Sequence, residues 1–266
     1  MQNYNSPPYQ GYGQQQQQQQ QRQGGRLQDL TSSFSQFSLR DQWSHLSSHF
    51  PQHREGSGEI VCGPLLRYIG INYATREWQG SILIVSSDEE APPVDIQLAE
   101  PVTQQKQWFK PRAEKLDTYR HKYRFWRYDV RLPMTNHDQI ATYSTARNNW
   151  ASPQFQFHLP SFYNSMRFMF YSCNGFSDIP QEIKDKFGEK EAPLWQDVLD
   201  RHEVMPFHVL LGGGDQLYQD RLIKEDFMKP WVEEKNPAKR LAMELSEEMK
   251  DGFEHFYFWN YCKNFG

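Results

Sequence analysis

Residues Phe207–Asp220 read FHVLLGGGDQLYQD, and an earlier stretch, Met166–Gly175, reads MRFMFYSCNG. Each is a short apolar run that ends in chemically distinctive residues. The first ends in three glycines followed by Asp215, Tyr218 and Asp220; the second ends in Ser172, Cys173 and Asn174. Apolar runs of this length bounded by turn residues read as strands. Between them, Pro193–His202 reads as a helix with Leu194, Trp195, Val198 and Leu199 on its inner face and Pro193 at its first position, where a missing N–H costs nothing. The unit is therefore strand Arg167–Cys173, helix Pro193–His202 and strand Val204–Leu211. Such a connection suits a right-handed crossover between parallel strands, whose carboxyl ends lie on one side. That topology predicts Cys173 and Asn174 beside Asp215, at the edge where α/β sheets gather their ligands.

The residue types at that edge suggest a metal. Asp215 is a hard oxygen donor able to bridge two cations, and Tyr218 binds only as phenolate. A phenolate and a thiolate stay deprotonated beside a strong Lewis acid, which favours a ferric ion over magnesium. A harder cation would take the other oxygen of Asp215, and bridged pairs of metals activate water against phosphate esters. Gly212, Gly213 and Gly214 read as positions where the backbone turns sharply and approaches a ligand. No Lys-Ser/Thr follows them, so this is not a P-loop. Plainer readings stand beside these. Cys173 alone reads as a buried apolar cysteine, and Asp220 as the N-cap of the helix that follows. His208 reads as a satisfied core residue on a buried strand, and Asp129, His137 and His158 as turn or core partners.

Working outward, the 266 residues divide by composition, and the overall 37% of hydrophobic residues is unevenly spread. Residues Met1–Gly58 contain an unbroken glutamine run, Gln14–Gln21, among Tyr, Gly, Ser and Pro. This composition buries too little apolar surface to offset the entropy of ordering, so a disordered Gln-rich tail is expected. A faint helical pattern at Leu27–Leu39 suggests a protein partner for this tail. Residues Glu59–Pro160 show short strands between turn signals (Ile60–Asn72, Trp78–Ser86, Val94–Leu98, Thr118–Leu132, Gln139–Thr145 and Gln154–Leu159), which predicts a β-sandwich domain. From Ser161 to Gly266 the strand–helix–strand unit is followed by a helix at Asp220–Lys229 stopped by Pro230. Next come a helix opened by Asn236-Pro237 that runs to Gly252 and an aromatic helix at Phe253–Phe265. The fold class expected is α/β in its last part and multi-domain α+β overall.

Net charge of −4 does not mark the whole chain as a nucleic-acid binder. The Lys and Arg residues of Lys106–Arg131 alternate with aromatics, as in a strand with one wet face. Three distant cysteines, Cys62, Cys173 and Cys262, argue against a disulfide framework or a zinc ribbon and fit a reducing compartment. With no signal peptide and no apolar run near the ~20 residues of a membrane span, an intracellular, cytoplasmic protein is expected.

The sequences Ser172-Cys173-Asn174-Gly175, LWQDVLDRH and LLGGGDQLYQD together resemble the opening of a PhoD-like phosphatase domain of the fungal, intracellular branch. The resemblance covers roughly Glu59–Gly266. It implies a calcineurin-like metallophosphoesterase α/β sandwich in the last part, hydrolysing phosphate mono- or diesters with metal-activated water. It also implies a centre of ferric iron and calcium, in which Cys173, Asp215 and Tyr218 ligate iron and Asp215 bridges to the second metal. Asn174 and Asp220 would support these ligands. The family's later Asp-Asp-His-type ligands are not found here; Asn136-His137-Asp138 precedes the first ligand strand and does not substitute. A chain truncated at its C-terminus, with weak activity or none, is therefore expected. The competing expectation is a non-catalytic interaction or scaffold protein that uses the Gln-rich tail and the β-sandwich.

Overall fold

The computed structural model describes residues 59–145, 154–174, 181–186 and 193–265. The Gln-rich tail, the Leu27–Leu39 pattern and the Gly56–Gly58 linker lie outside them. Eight strands come first: β1 (Ile60–Asn72), β2 (Glu77–Ser86), β3 (Asp95–Glu100), β4 (Gln105–Phe109), β5 (Ala113–Tyr119), β6 (Tyr123–Pro133), β7 (Gln139–Ser144) and β8 (Phe155–Leu159). They form two four-stranded antiparallel sheets, ordered β1-β2-β6-β5 and β4-β3-β7-β8. Side chains alternate across a strand, so Trp78, Ile82 and Ile84 of β2 and Trp126, Tyr128, Val130 and Leu132 of β6 point to one face. That face and the face carrying Ile96, Leu98, Ala141, Tyr143, Phe157 and Leu159 build one apolar core. Trp78 of the first sheet meets Phe157 of the second with ring centroids 4.8 Å apart.

Two strands depart from the sequence reading. The run Thr118–Leu132 is not continuous: the chain reverses at Arg120 and His121, with φ of 48° and 55°, to make the β5–β6 hairpin. Charged and aromatic residues alternate on both sides of that turn, so the period carries no mark of it. Strand β4 is exposed along nearly its whole length and, among the described residues, pairs with β3 alone. A polar edge strand has no buried face to write into the sequence.

The next elements are β9 (Phe168–Tyr171), helix α1 (Gln181–Lys186), helix α2 (Pro193–Val204) and β10 (Val209–Gly212). Strands β9 and β10 are parallel, with Val209 opposite Phe168 and Gly212 opposite Tyr171. Helix α2 takes Val204 from the expected strand, and Leu194 is exposed rather than inward-facing. The runs expected to be buried are also open among the described residues: Phe168, Phe170, Leu210 and Leu211 are exposed. Continuous apolar runs belong to strands covered on both faces, and among the described residues this two-stranded sheet has no such cover.

Arg167 ties the start of this pair to the loop before β7. Its Nε donates to the Pro206 carbonyl at 2.7 Å, its guanidinium reaches Asp138 at 3.2 Å, and its backbone N–H donates to His208 Nδ1 at 2.9 Å. His208 has a fully buried ring whose Nδ1 accepts from Arg167, as expected of a core residue, while its Nε2 lies 2.9 Å from the Arg167 guanidinium and 3.9 Å from Asp138.

Residues Asp220–Lys224 and Asp226–Met228 form two short 3-10 turns, followed by α3 (Lys229–Glu233), α4 (Pro237–Leu241) and α5 (Glu247–Phe265). Pro230 sits in the first turn of α3 and does not terminate a helix, because a proline there loses no intrahelical bond. Asn236 caps α4 as expected, accepting from the N–H groups of Ala238 and Lys239 at 2.9 and 3.3 Å. The helix ends at Leu241, however, and α5 starts at Glu247 and runs straight through Gly252. Gly252 is an interior close-approach site, since a Cβ there would strike the Phe227 ring. Helix α5 packs on the first sheet, where Phe258 stacks on Tyr119 at 4.2 Å and contacts Tyr123 at 5.3 Å. Among the described residues no helix is long and apolar enough to cross a membrane.

Candidate functional site

The parallel register of β9 and β10 carries past the last paired residues and fixes the two strand ends against each other. Gly213 N donates to the Tyr171 carbonyl at 2.7 Å. Cys173 N then donates to the Gly214 carbonyl, and Asn174 N to the Asp215 carbonyl, each at 2.8 Å. This backbone ladder places the Cys173 thiol 3.8 Å from Asp215 Oδ2. Tyr218 completes the group, near enough for Cys173 and Asp215 to act on its phenol. Partial desolvation, then the neighbouring Cys173, Asp215 and Asp220, push the Tyr218 phenol above its ordinary range. Thiol, carboxylate and phenol therefore converge on one exposed spot.

Cys173 and Asp215 both hold left-handed backbone, with φ of 63° and 59°. The glycines between the strand and Asp215 do not. The expectation that Gly212–Gly214 absorb the sharp turn is corrected: the left-handed conformations sit on Cys173 and Asp215. Gly213 answers to packing, since a Cβ there would lie 2.7 Å from the Phe170 ring and 3.2 Å from the Tyr171 carbonyl. A Cβ on Gly214 would meet nothing within 4 Å.

Asn174 accepts from Trp195 Nε1 at 3.1 Å, which fastens the start of α2 to the end of β9. Asp220 is the first residue of a 3-10 turn whose cap position is Gln219, and no side chain caps it. The expectation of Asp220 as an N-cap is thus overturned. Cys173 is exposed, not a buried apolar cysteine.

Three further residues brace the site. Ser172 Oγ donates to the Gly214 carbonyl at 3.1 Å, Gln216 Nε2 donates to the Gly213 and Gly214 carbonyls at 3.2 and 3.0 Å, and Gln219 Oε1 accepts from Asn260 of α5 at 2.9 Å. Ser172 and Gln216 adjoin the motif and were legible as candidates; nothing in the sequence links Gln219 to Asn260. Among the described residues no group of three or more His, Cys, Asp and Glu side chains is placed to hold a metal ion. The convergent set here has two such residues, with a tyrosine as its third member.

A protein-family model described as PhoD related phosphatase matches residues 133–266. An uncharacterized protein of Saccharomyces cerevisiae is 32% identical over 217 residues, covering 78% of this chain. The chain spans 30% of that relative's length. The family match begins at the end of β6 and takes in both strand ends, the glycine loop and α5. With half the chain under that match, it belongs to the PhoD-related phosphatase family.

Proposed function

We propose that this chain is the N-terminal portion of a metal-dependent phosphoesterase, with a β-sandwich over Glu59–Pro160 followed by the opening of the metallophosphoesterase domain from Ser161. Cys173, Asp215 and Tyr218 would hold a ferric ion, and the second carboxylate oxygen of Asp215 would be offered to a calcium ion. The observation that carries the reading is the register of β9 and β10, which brings the Cys173 thiol to 3.8 Å from Asp215 with Tyr218 alongside. The donor set fits the cation. Sulfur and phenol oxygen suit a strongly polarising ion, and a carboxylate offers a second oxygen to a harder one. The exposure of all three leaves the spot accessible to a phosphate ester.

When bound, the cations would activate water and offset charge on the phosphate oxygens. The chain's own part is positioning. The Cys173–Gly214 and Asn174–Asp215 backbone bonds fix the ligand carbons, and the Trp195–Asn174 bond fixes the loop after β9. Three donors and one bridge do not complete a two-cation centre, so this chain alone is expected to turn over phosphate esters weakly or not at all.

A ferric ion held by phenolate and thiolate absorbs visible light by charge transfer from its ligands. Titrating the protein with ferric iron is expected to give a visible band. Tyr218→Phe should shift or abolish it and Asp215→Ala should weaken binding. An iron complex whose spectrum is the same in wild type and Tyr218→Phe would overturn the ligand assignment. Rapid turnover of a phosphodiester or phosphomonoester by this chain, lost in Asp215→Ala, would overturn the half-site reading.

A further inference from the structure

Cys62 lies near the start of β1, the edge strand of the first sheet, and Cys262 lies in the last turn of α5, roughly 200 residues later. Both are free, and each is 7% exposed. With Val85 they form a second buried cluster, apart from the main core, packed against residues that include Leu65, Phe125, Phe258 and Trp259. The sequence explains why they meet. The β1–β2 register slips on both sides of Cys62, and such bulges re-aim a strand side chain. On α5, Phe258 and Cys262 are four residues apart and share a face, and Phe258 is the residue that stacks on the sheet. Docking of the Phe258 ring therefore delivers Cys262 to the buried cluster that holds Cys62.

We propose that Cys62 and Cys262 form a reversible disulfide in response to a peroxide, stapling α5 to the edge of the first sheet. The sequence expectation concerned a structural disulfide framework; this bond would instead be a response to oxidation in a chain whose three cysteines are free thiols. The neighbouring Cys262 holds the Cys62 thiol below its ordinary range, while Cys62 and burial push Cys262 up, so Cys62 is the attacking sulfur. Its thiolate attacks one oxygen of the peroxide, the O–O bond breaks, and an alcohol or water leaves with the second oxygen. The resulting sulfenic acid is attacked by the Cys262 sulfur, which gives up its proton, and the S–O bond breaks to release water. Two thiols and one peroxide thus yield one disulfide, one water and the reduced peroxide fragment, a two-electron exchange with no other reactant. The inference does not depend on the phosphatase reading.

The test uses the full chain, reduced, desalted and exposed to hydrogen peroxide. Free thiols are then blocked with iodoacetamide and peptides are mapped without reductant. A peptide linking Cys62 to Cys262 is expected, cleaved by dithiothreitol. The thermal unfolding midpoint should rise by roughly 5 °C or more and fall back on reduction. Cys173→Ser should leave both results unchanged, and Cys62→Ser or Cys262→Ser should abolish them. Recovery of Cys62 and Cys262 as alkylated or singly oxidised residues would overturn the proposal, as would links that run only through Cys173. A linked peptide without a rise in midpoint would overturn the staple. Should the serine variants at positions 62 and 262 fail to fold, the wild type and Cys173→Ser decide the question by themselves.

Discussion

Cys173 and Asp215 occupy left-handed backbone that costs a residue with a Cβ roughly 1–2 kcal/mol. Neither side chain is buried, so neither gains packing in exchange. Glycine at such a position escapes the steric cost and gives back about 0.5–1 kcal/mol in chain entropy. Cys173→Gly is therefore expected to leave stability unchanged or raise it by up to about 1 kcal/mol, measured by urea unfolding. The same substitution should remove the thiolate contribution to the ferric spectrum. A loss of stability above about 1 kcal/mol would show that the thiol is a structural contact and not a strained functional one. This is the scale at which the sequence was most informative. GGGDQLYQD and SCN supplied the carboxylate, phenol and thiol, and strand polarity was enough to bring them together. Backbone sign was not legible, because a glycine triplet draws attention to itself while the torsions fall on its neighbours.

Among the elements, the junction before β9 and β10 gathers three histidines. His158 of β8 faces His202 of α2 with ring centroids 5.2 Å apart, while Arg167 lies against His208 and pairs with Asp138. Burial first, then the positive neighbours His202, His208 and Arg167, lower His158 to about 4; Asp138 opposes them. Burial and then Arg167 hold His208 at about 4, again against Asp138, and burial and Arg167 lower His202. These folded-state values lie below the unfolded value of 6.5. Protons thus bind the unfolded chain more readily, so the contribution is fully present above pH 6.5 and is lost as pH falls toward about 4. Stability should drop by on the order of several kcal/mol across that window, followed by denaturant melts at fixed ionic strength. His158→Gln should flatten the slope. A pH-independent midpoint between 6.5 and 4 would contradict it.

Element type was largely readable here, since alternation in β2, β6 and β8 follows from one buried face. The β5–β6 turn and the link Met205–His208 were not: the turn carries no glycine, and helix α2 extends into a run whose apolar content reads equally as strand.

Across the molecule, the buried side chains among the described residues concentrate in the two four-stranded sheets, and α5 packs on the first of them. Phe258 is the contact that matters most, placed among Tyr119, Tyr123 and Phe125. Phe258→Ala should cost about 2–3 kcal/mol, less than a fully buried phenylalanine because the ring is only half-buried. Hydrogen exchange is the telling measurement: amides of Glu247–Phe265 should lose protection while those of β2 and β6 keep theirs. Uniform loss would mean that helix and sheets unfold as one unit. No sequence pattern announced this arrangement. Helix α5 is aromatic on several faces, so its composition does not single out the face that meets the sheet.

The bond between Gln219 and Asn260 also sets an order in time. The two residues are separated by 41 positions, and at ~5–20 residues per second of synthesis that separation is about 2–8 s. During that interval the strands of both sheets are already made, whereas the segment bearing Tyr218 still lacks the amide that steadies it. A newborn chain thus passes through a stage with finished sheets and an unbraced tyrosine. On the metal reading proposed above, Tyr218 would gain its brace only once α5 has been made.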